Sequence, residues 1–470
     1  LANVEPPYNK ITAADAFAND DNALTVINGI YTNMDILNNF SGSFSIGFYA
    51  ALGADELTLY NGVTDPLLLA YYQNDLQSNA NTNYGTDFWA PLYNYIYLSN
   101  NIIEQLSSSD KISTGVKKQL LGEAKFLRAF FYFYLVNFYG DVPLVKTTNY
   151  KINRSLAKSK KSDVYDLIIS DLKDADTLLS PDFLDGKLVK FPDVNTAERV
   201  RPTVWSAKAL LARVCLYTKD YANAELYASQ VISNSTLFNL TDLTDVFLKN
   251  SREAIWQLQT LATYQNTADA ITYVLPDTGP TTYNASPAYL SDSLLMAFEL
   301  GDSRDSVWVG NVITGSGTNY YFPYKYKNIT PDILEYTMVL RLAEQYLIRA
   351  EARVMQGNLS GAITDLNIIR TRARAMPTTS IPNPLPDLPS TLNQQQVKDA
   401  VMQERRVELF TEWGHRWLDL KRTESLNSVM SVITPLKANG QPWRPFQALY
   451  PILFTDLLNN TNLVQNDGYK

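Results

Sequence analysis

Residues Val339–Ala375 read VLRLAEQYLIRAEARVMQGNLSGAITDLNIIRTRARA, two runs of helical spacing joined at QGN. An earlier stretch, Trp205–Ile232, repeats it in outline as WSAKALLARVCLYTKDYANAELYASQVI. Laying Ala212 on Ala350 also lays Ala224 on Ala362 and Val231 on Ile369, and sets Gly357 and Asn358 where the earlier turn has Lys219 and Asp220. One helical hairpin cannot bury its apolar face alone, so hairpins that echo one another stack and share a core. Small residues mark where such helices come closest.

The two alanines of each hairpin keep the twelve-residue spacing expected between the small positions of tetratricopeptide repeats, although not all the large Trp and Tyr positions of that consensus are present. Outward from the echo, helical periodicity covers most of the chain. From Phe88, FWAPLYNYIYLSNNIIEQL sets Leu92, Ile96 and Ile103 on one side of a helix. A second helix starts near Ser113, repeats Leu120, Ala124, Leu127 and Phe131, and is stopped by Gly140 and Pro143. SDVYDLIISDLKDADTLL follows, with Ser162 and Asp163 as candidate caps. With the helix before it this makes an antiparallel pair, and the echo supplies two more, beginning near Thr203 and near Met338. A last helix, over 393–413, follows the proline-rich connector Pro377–Ser390.

The scaffold therefore spans about 86–180, 203–233 and 338–375 plus the helix 393–413. Two segments lack periodicity. The larger, 236–331, carries short apolar runs such as EAIWQLQT, glycine and threonine clusters such as DTGPTT and ITGSGTNYY, and many tyrosines. The smaller runs from Gly42 to Gly85. Long irregular segments within a compact domain are usually functional. The expected fold is mainly α, with helical pairs packed against an irregular, loop-rich half that holds a few short strands.

Composition narrows the function. The 470 residues are 46% hydrophobic and 19% charged, a globular balance with room for a large core. No stretch reaches the roughly 20 uninterrupted apolar residues of a membrane helix; the densest run, AFFYFYLVNFYG, is short and rich in tyrosine. A net charge of −8 argues against nucleic acid, whose phosphates draw on clustered Lys and Arg. KSKKS, at Lys158–Ser162, reads as a solvated helix entry. The single cysteine, Cys215, excludes an intrachain disulfide and fits a small core position. The first residues, LANVEPPYNK, lack the charged and apolar parts of a signal peptide.

Chemistry is scarce. His415 is the only histidine and lies between Trp413 and Trp417, so a metal cluster of the Cys/His kind is ruled out by counting and a structural role is expected. Glu404 and Glu408 stand four apart beside Arg405 and Arg406, the pattern of a salt-bridged helix face, although two acids are all that glycoside hydrolysis needs. Asp302 and Asp305 bracket Arg304 in a turn that could also suit calcium. No phosphate-binding loop follows a strand. The remaining constellation is aromatic and polar: sugars pack C–H patches on Trp and Tyr faces and exchange hydrogen bonds with Asn, Asp, Gln and Arg. With 30 Tyr, 19 Phe and 7 Trp, the chain is rich in such rings. One group is Tyr71, Tyr72, Asn74, Tyr84 and Trp89. The other is Tyr264, Tyr273, Tyr283, Trp308, Tyr320 and Tyr321.

Several stretches resemble the SusD/RagB family of nutrient-binding outer-membrane lipoproteins of Bacteroidetes: Gly122–Val145, Arg201–Ile232, Val339–Gly357 with Ile363–Ala375, and Glu404–Arg422 (ERRVELFTEWGHRWLDLKR). The end, LYPILFTDLLNNTNLVQNDGY, resembles the family's closing motif, departing where a proline would follow Ile452 and at Asp467. The resemblance implies a single, mostly helical domain with four tetratricopeptide-like pairs. It implies a lipid anchor on an acylated cysteine before Leu1, a position on the outer face of the outer membrane, and a SusC-like TonB-dependent transporter as partner. It also implies non-catalytic capture of a glycan, and no cofactor or metal-binding residue is expected. The family's ligand contacts come from variable loops, so the candidate ligand residues rest on aromatic grouping alone. A peptide-binding helical scaffold and a glycoside hydrolase are the rival readings.

Overall fold

The computed structural model describes residues 16–36, 39–261, 266–282, 285–330, 332–437 and 441–469. Its principal helices are α1 (Asp20–Ile36), α2 (Ile46–Gly53), α3 (Pro66–Gln73), α4 (Trp89–Ser108), α5 (Thr114–Tyr139), α6 (Lys161–Leu178), α7 (Val204–Tyr217), α8 (Tyr221–Ile232), α9 (Leu342–Met355), α10 (Leu359–Ala373), α11 (Gln394–Glu408), α12 (His415–Arg422) and α13 (Leu426–Ile433). The protein is mainly α-helical. From α4 to α10 each helix packs on the next, and α11 closes the row against α9 and α10. Ala212, Ala224, Ala350 and Ala362 are all fully buried, as expected of positions where helices approach closely.

The echo extends into the turns. Lys219 (φ 62) and Gly357 (φ 84) both take the left-handed conformation. The next residues, Asp220 and Asn358, share one backbone geometry (φ −83, ψ 73 and φ −84, ψ 73), and the side chain of each accepts a hydrogen bond from a backbone N–H at the start of the following helix. These caps satisfy donors that a helix start leaves open. Helix α6 begins at Lys161, one residue ahead of the expected cap Ser162.

Helix α5 forms the spine, and every residue from Phe126 to Tyr139 is buried. No helix among the described residues is long and apolar enough to cross a membrane. Buried ion pairs accompany the rings: Arg128 meets Asp171 at 2.7 Å, and Arg201 meets Glu123 at 2.7 Å. Pairing of this kind offsets the cost of burying a charge. Cys215 lies in the core, as its pattern indicated.

The strands β1 (Leu57–Leu59), β2 (Gln77–Ser78), β3 (Asn83–Tyr84), β4 (Ala254–Leu258), β5 (Ala288–Leu290), β6 (Val309–Ile313), β7 (Asn319–Pro323) and β8 (Thr337–Arg341) pair antiparallel in twos: β1 with β5, β2 with β3, β4 with β8 and β6 with β7. The β4–β8 pair corrects one expectation. The second echo hairpin starts at Leu342 and not near Met338, because Thr337–Arg341 is a strand. Within segment 236–331, β4 is buried at every residue, with Trp256 edge-on to Phe126 at 5.0 Å and to Phe130 at 5.3 Å. A strand covered on both faces loses the alternation that would reveal it.

The last long helix was expected to span 393–413 but ends at Glu408. Thr411 (φ 57), Trp413 (φ 49) and Gly414 (φ 72) turn the chain before α12. A Cβ on Gly414 would stand 2.9 Å from that of Ala50, so glycine is required there. The carbonyls freed at the break find cationic donors. The Lys325 ammonium donates to the carbonyls of Glu408 (2.8 Å) and Phe410 (2.9 Å), and Arg341 donates to the Glu408 carbonyl at 2.8 Å.

These groups belong to a buried ionic junction. Arg341 reaches the carboxylates of Glu412 (2.8 Å), Glu253 (2.9 Å) and Glu408 (2.7 Å). Arg304 binds Asp302 (2.7 Å), Glu404 (2.6 Å) and Glu408 (2.8 Å), while Arg372 binds Glu253 and Glu408. Desolvation would raise the Glu408 pKa, but Arg372, Arg341 and Arg304 outweigh it and hold the carboxyl below its usual range. Burial pushes the Lys325 ammonium down to about 8 against the pull of Glu412. Glu404 and Glu408 are thus salt-bridged, and Asp302 serves the Arg304 turn. His415 is buried with its Nε2 4.0 Å from Glu344; burial, reinforced by Arg213 and Arg405, holds its pKa well below the ordinary value, so the imidazole is neutral.

Candidate functional site

The two segments without sequence periodicity meet, although the smaller, expected to be irregular, holds helices α2 and α3. Strand β1 lies in the smaller and β5 in the larger, and their register sets Thr58 opposite Tyr289. In both strands the outer residues are buried and the central one is half-buried, so Thr58 and Tyr289 share the less buried face. Tyr60 extends the pairing by donating its backbone N–H to the Pro287 carbonyl at 2.9 Å, two residues beyond Thr58 and hence on the same face.

Tyr320, on β7, joins them. Its ring stands edge-on to Tyr289 at 5.0 Å and to Tyr60 at 6.4 Å. All three rings are half-buried, and Tyr321 is 39% exposed. Gly279 makes room for this cluster. At φ +83 it occupies a conformation few side chains adopt, and a Cβ there would stand 3.2 Å from the Tyr320 ring and 2.9 Å from Thr314. Beneath, Tyr72 shares a hydrogen bond with Thr58; burial, then Tyr289, pushes its phenol up to about 12. Burial and Tyr320 also raise Tyr289. These phenols stay protonated and can donate hydrogen bonds.

Polar groups crowd the same edge. The tip of the β6–β7 hairpin carries a hydroxyl chain in which Thr314 and Ser316 lie 2.9 Å apart and Ser316 and Thr318 3.3 Å apart. Asn311 donates to Asn319 at 3.3 Å across that hairpin. Thr282 packs beside Gly62 and Tyr60. The face therefore offers ring edges and faces next to hydroxyls and amides, the surfaces that a pyranose presents in complement.

The ligand residues expected from aromatic grouping are scattered. Tyr320 lies in the cluster. Tyr84, on β3, is half-buried opposite Gln77. Tyr71 is sealed: it stacks on Tyr49 at 3.9 Å and donates to Asp87 at 2.8 Å. Asn74 is the left-handed cap of α3, donating to the Gly53 carbonyl at 3.1 Å. Tyr273 is buried against Phe48 at 6.0 Å. Trp308 is fully buried, its indole donating to the Leu243 carbonyl at 2.8 Å and its ring facing Lys325, Arg372 and Arg341 at 5.0, 5.5 and 5.9 Å. It covers the ionic junction. As placed, none of these four presents a ring face or a free amide to a ligand. Trp89, 1% exposed, donates to Asp456 at 2.8 Å and borders a cavity whose walls include none of the three clustered tyrosines. Tyr264, Tyr283 and the expected anchor position before Leu1 lie outside the described residues.

Aromatic grouping missed Tyr60 and Tyr289. Tyr60 ends the alternating LTLY of ADELTLYNG and Tyr289 sits in the short run AYL. Each strand is too short for periodicity to declare which side faces water.

Residues 300–469 match the model of the SusD family, and residues 64–216 match a model described as starch-binding associating with outer membrane. A SusD-like protein of Formosa agariphila is 27% identical over 84% of this chain and 82% of its own length. Among solved structures, a SusD superfamily protein from Parabacteroides distasonis superposes with a TM-score of 0.77 at 22% identity, covering 98% of this chain and 100% of that one. A laminarin binding SusD-like protein superposes with a TM-score of 0.74 at 22% identity, covering 96% of this chain and 100% of that one.

Proposed function

The chain is a member of the SusD/RagB family of outer-membrane nutrient-binding proteins, which are non-enzymatic, and from that premise we propose that it captures a glycan on the face built by Tyr60, Tyr289 and Tyr320. The observation that carries the reading is the convergence of both irregular segments on three half-buried tyrosines flanked by hydroxyls and amides. Starch is named for one matching family model and laminarin for one structural neighbour, so a glucan is the first ligand to try.

In this reading the helical row is a scaffold of four tetratricopeptide-like pairs, one unit with the loop-rich half, and it supplies the contact with a SusC-like TonB-dependent transporter. An N-terminal lipid anchor holds the protein on the outer face of the outer membrane. The acids that a hydrolase would need are spent elsewhere: Glu404 and Glu408 are sealed against Arg304, Arg341 and Arg372. Binding and delivery occur without bond cleavage.

Calorimetry against maltoheptaose and laminariheptaose tests the proposal. Tyr320→Ala removes the ring that bridges the two segments and should weaken the bound glycan about twofold to thirteenfold, from roughly 0.5–1.5 kcal/mol of ring packing. Unchanged affinity in that variant would overturn the assignment of the face.

A further inference from the structure

The cavity that Trp89 borders, of about 470 Å³, opens on the helical frame between the start of α4, the Pro143–Val145 segment, the one-turn helix Tyr150–Asn153 and the helix Phe454–Asn459. Its volume falls within the range of small-ligand sites. Four features give it a chemistry. Tyr150 stands beside it with 72% of its surface exposed, an open ring face. The Asn153 amide donates to the Thr147 carbonyl at 2.7 Å, while its oxygen is buried with no hydrogen-bond partner. The Arg154 guanidinium lines the cavity and forms no ion pair among the described residues. Asp456 accepts the Trp89 indole N–H at 2.8 Å and keeps carboxylate capacity for a further donor.

Buried polar atoms are almost always satisfied, so the orphaned Asn153 oxygen calls for a donor. We propose that this cavity is a second saccharide subsite, taking a hydroxyl-rich pyranose unit against the Tyr150 ring with a sugar O–H donated to Asn153. Its walls set the rings of Trp89, Tyr93 and Tyr150 and the apolar Pro143, Val145 and Leu463 beside amides, a carboxylate and a guanidinium, the mixture of apolar surface and hydrogen-bonding groups that a pyranose needs. The inference rests on the glycan reading above and deepens it. Two subsites on one chain make the second contact with a long polymer intramolecular, so a polysaccharide is held more tightly than either subsite holds a short oligomer.

The test uses the Trp89 indole as reporter. The chain has 7 tryptophans, and a 15N-tryptophan-labelled sample gives one indole signal for each; Trp89→Phe assigns the relevant one. Maltoheptaose and laminariheptaose are titrated into the wild type, Tyr320→Ala and Tyr150→Ala. The Trp89 signal should shift in the wild type and equally in Tyr320→Ala, and in Tyr150→Ala the half-saturating concentration should rise about threefold to tenfold. Tyr150 is exposed, so its removal leaves the fold intact. Heptasaccharide binding by calorimetry with a motionless Trp89 signal would overturn the second subsite and leave the tyrosine face standing. If neither oligomer binds by either method, both readings fall.

Discussion

Replacing Arg341 with methionine is the sharpest test of the buried ionic junction between α10, α11 and segment 236–331. The Arg341 guanidinium donates to Glu412 at 2.8 and 2.9 Å, to Glu253 at 2.9 Å, to the Glu408 carboxylate at 2.7 Å and to the Glu408 carbonyl at 2.8 Å. Summing charge-assisted bonds would overstate the loss, because each carboxylate keeps another cation: Glu412 keeps Lys325 at 2.5 Å, Glu253 keeps Arg372 at 2.9 Å, and Glu408 keeps Arg304 at 2.8 Å. What remains is one uncompensated negative charge in a dry site, which costs about 3–5 kcal/mol. The measurement is the denaturant midpoint and its extrapolated free energy, with slope unchanged. Adding Glu412→Gln removes that excess charge, so Arg341→Met/Glu412→Gln should be more stable than the sum of the two single losses by at least about 1 kcal/mol. A single variant within about 1 kcal/mol of the wild type, or strict additivity in the double, would refute the reasoning.

Trp308→Phe should leave glycan affinity unchanged while lowering stability by about 1–3 kcal/mol, since it strips the donor from the buried Leu243 carbonyl and weakens the ring contact with Lys325; melting and calorimetry on one sample separate the two effects. His415 predicts an acid slope. Its folded pKa lies well below the unfolded value of about 6.5, so below that pH the unfolded chain takes up a proton that the folded chain does not. Full stability is present above about pH 6.5 and is lost as pH falls, by up to about 1.4 kcal/mol per unit. In His415→Gln that part of the slope between about pH 6.5 and 5 should vanish. Glu56 and Asp269, which burial raises to about 8 and about 7, titrate with the opposite sign and cancel when the two proteins are compared.

The helical row was legible because its signal is local and repeated. Alanines at fixed spacing mark close helix contacts, and even the turn pair Lys219–Asp220 matches Gly357–Asn358 in backbone conformation. The β4–β8 pair was hidden for the opposite reason: full burial on both faces erases alternation, and its partners lie far apart in the chain. Rings were countable but their surroundings were not. Tyr71 and Tyr60 both lie in the smaller segment, yet one stacks on Tyr49 in the core and the other borders the tyrosine face, a difference set by tertiary packing. Trp308 is the plainest case. A tryptophan amid irregular sequence suggested a sugar platform, and the folded chain uses it to cover cations contributed by Lys325, Arg341 and Arg372.

The most direct measurement is a crystal structure of the protein with a bound heptasaccharide, maltoheptaose or laminariheptaose. A sugar ring packed on the Tyr60–Tyr289–Tyr320 face, hydrogen-bonded to the neighbouring hydroxyls, is the result that convergence of the two loop segments predicts. A saccharide lodged instead between α7, α9 and α11, with those tyrosines untouched, would contradict it.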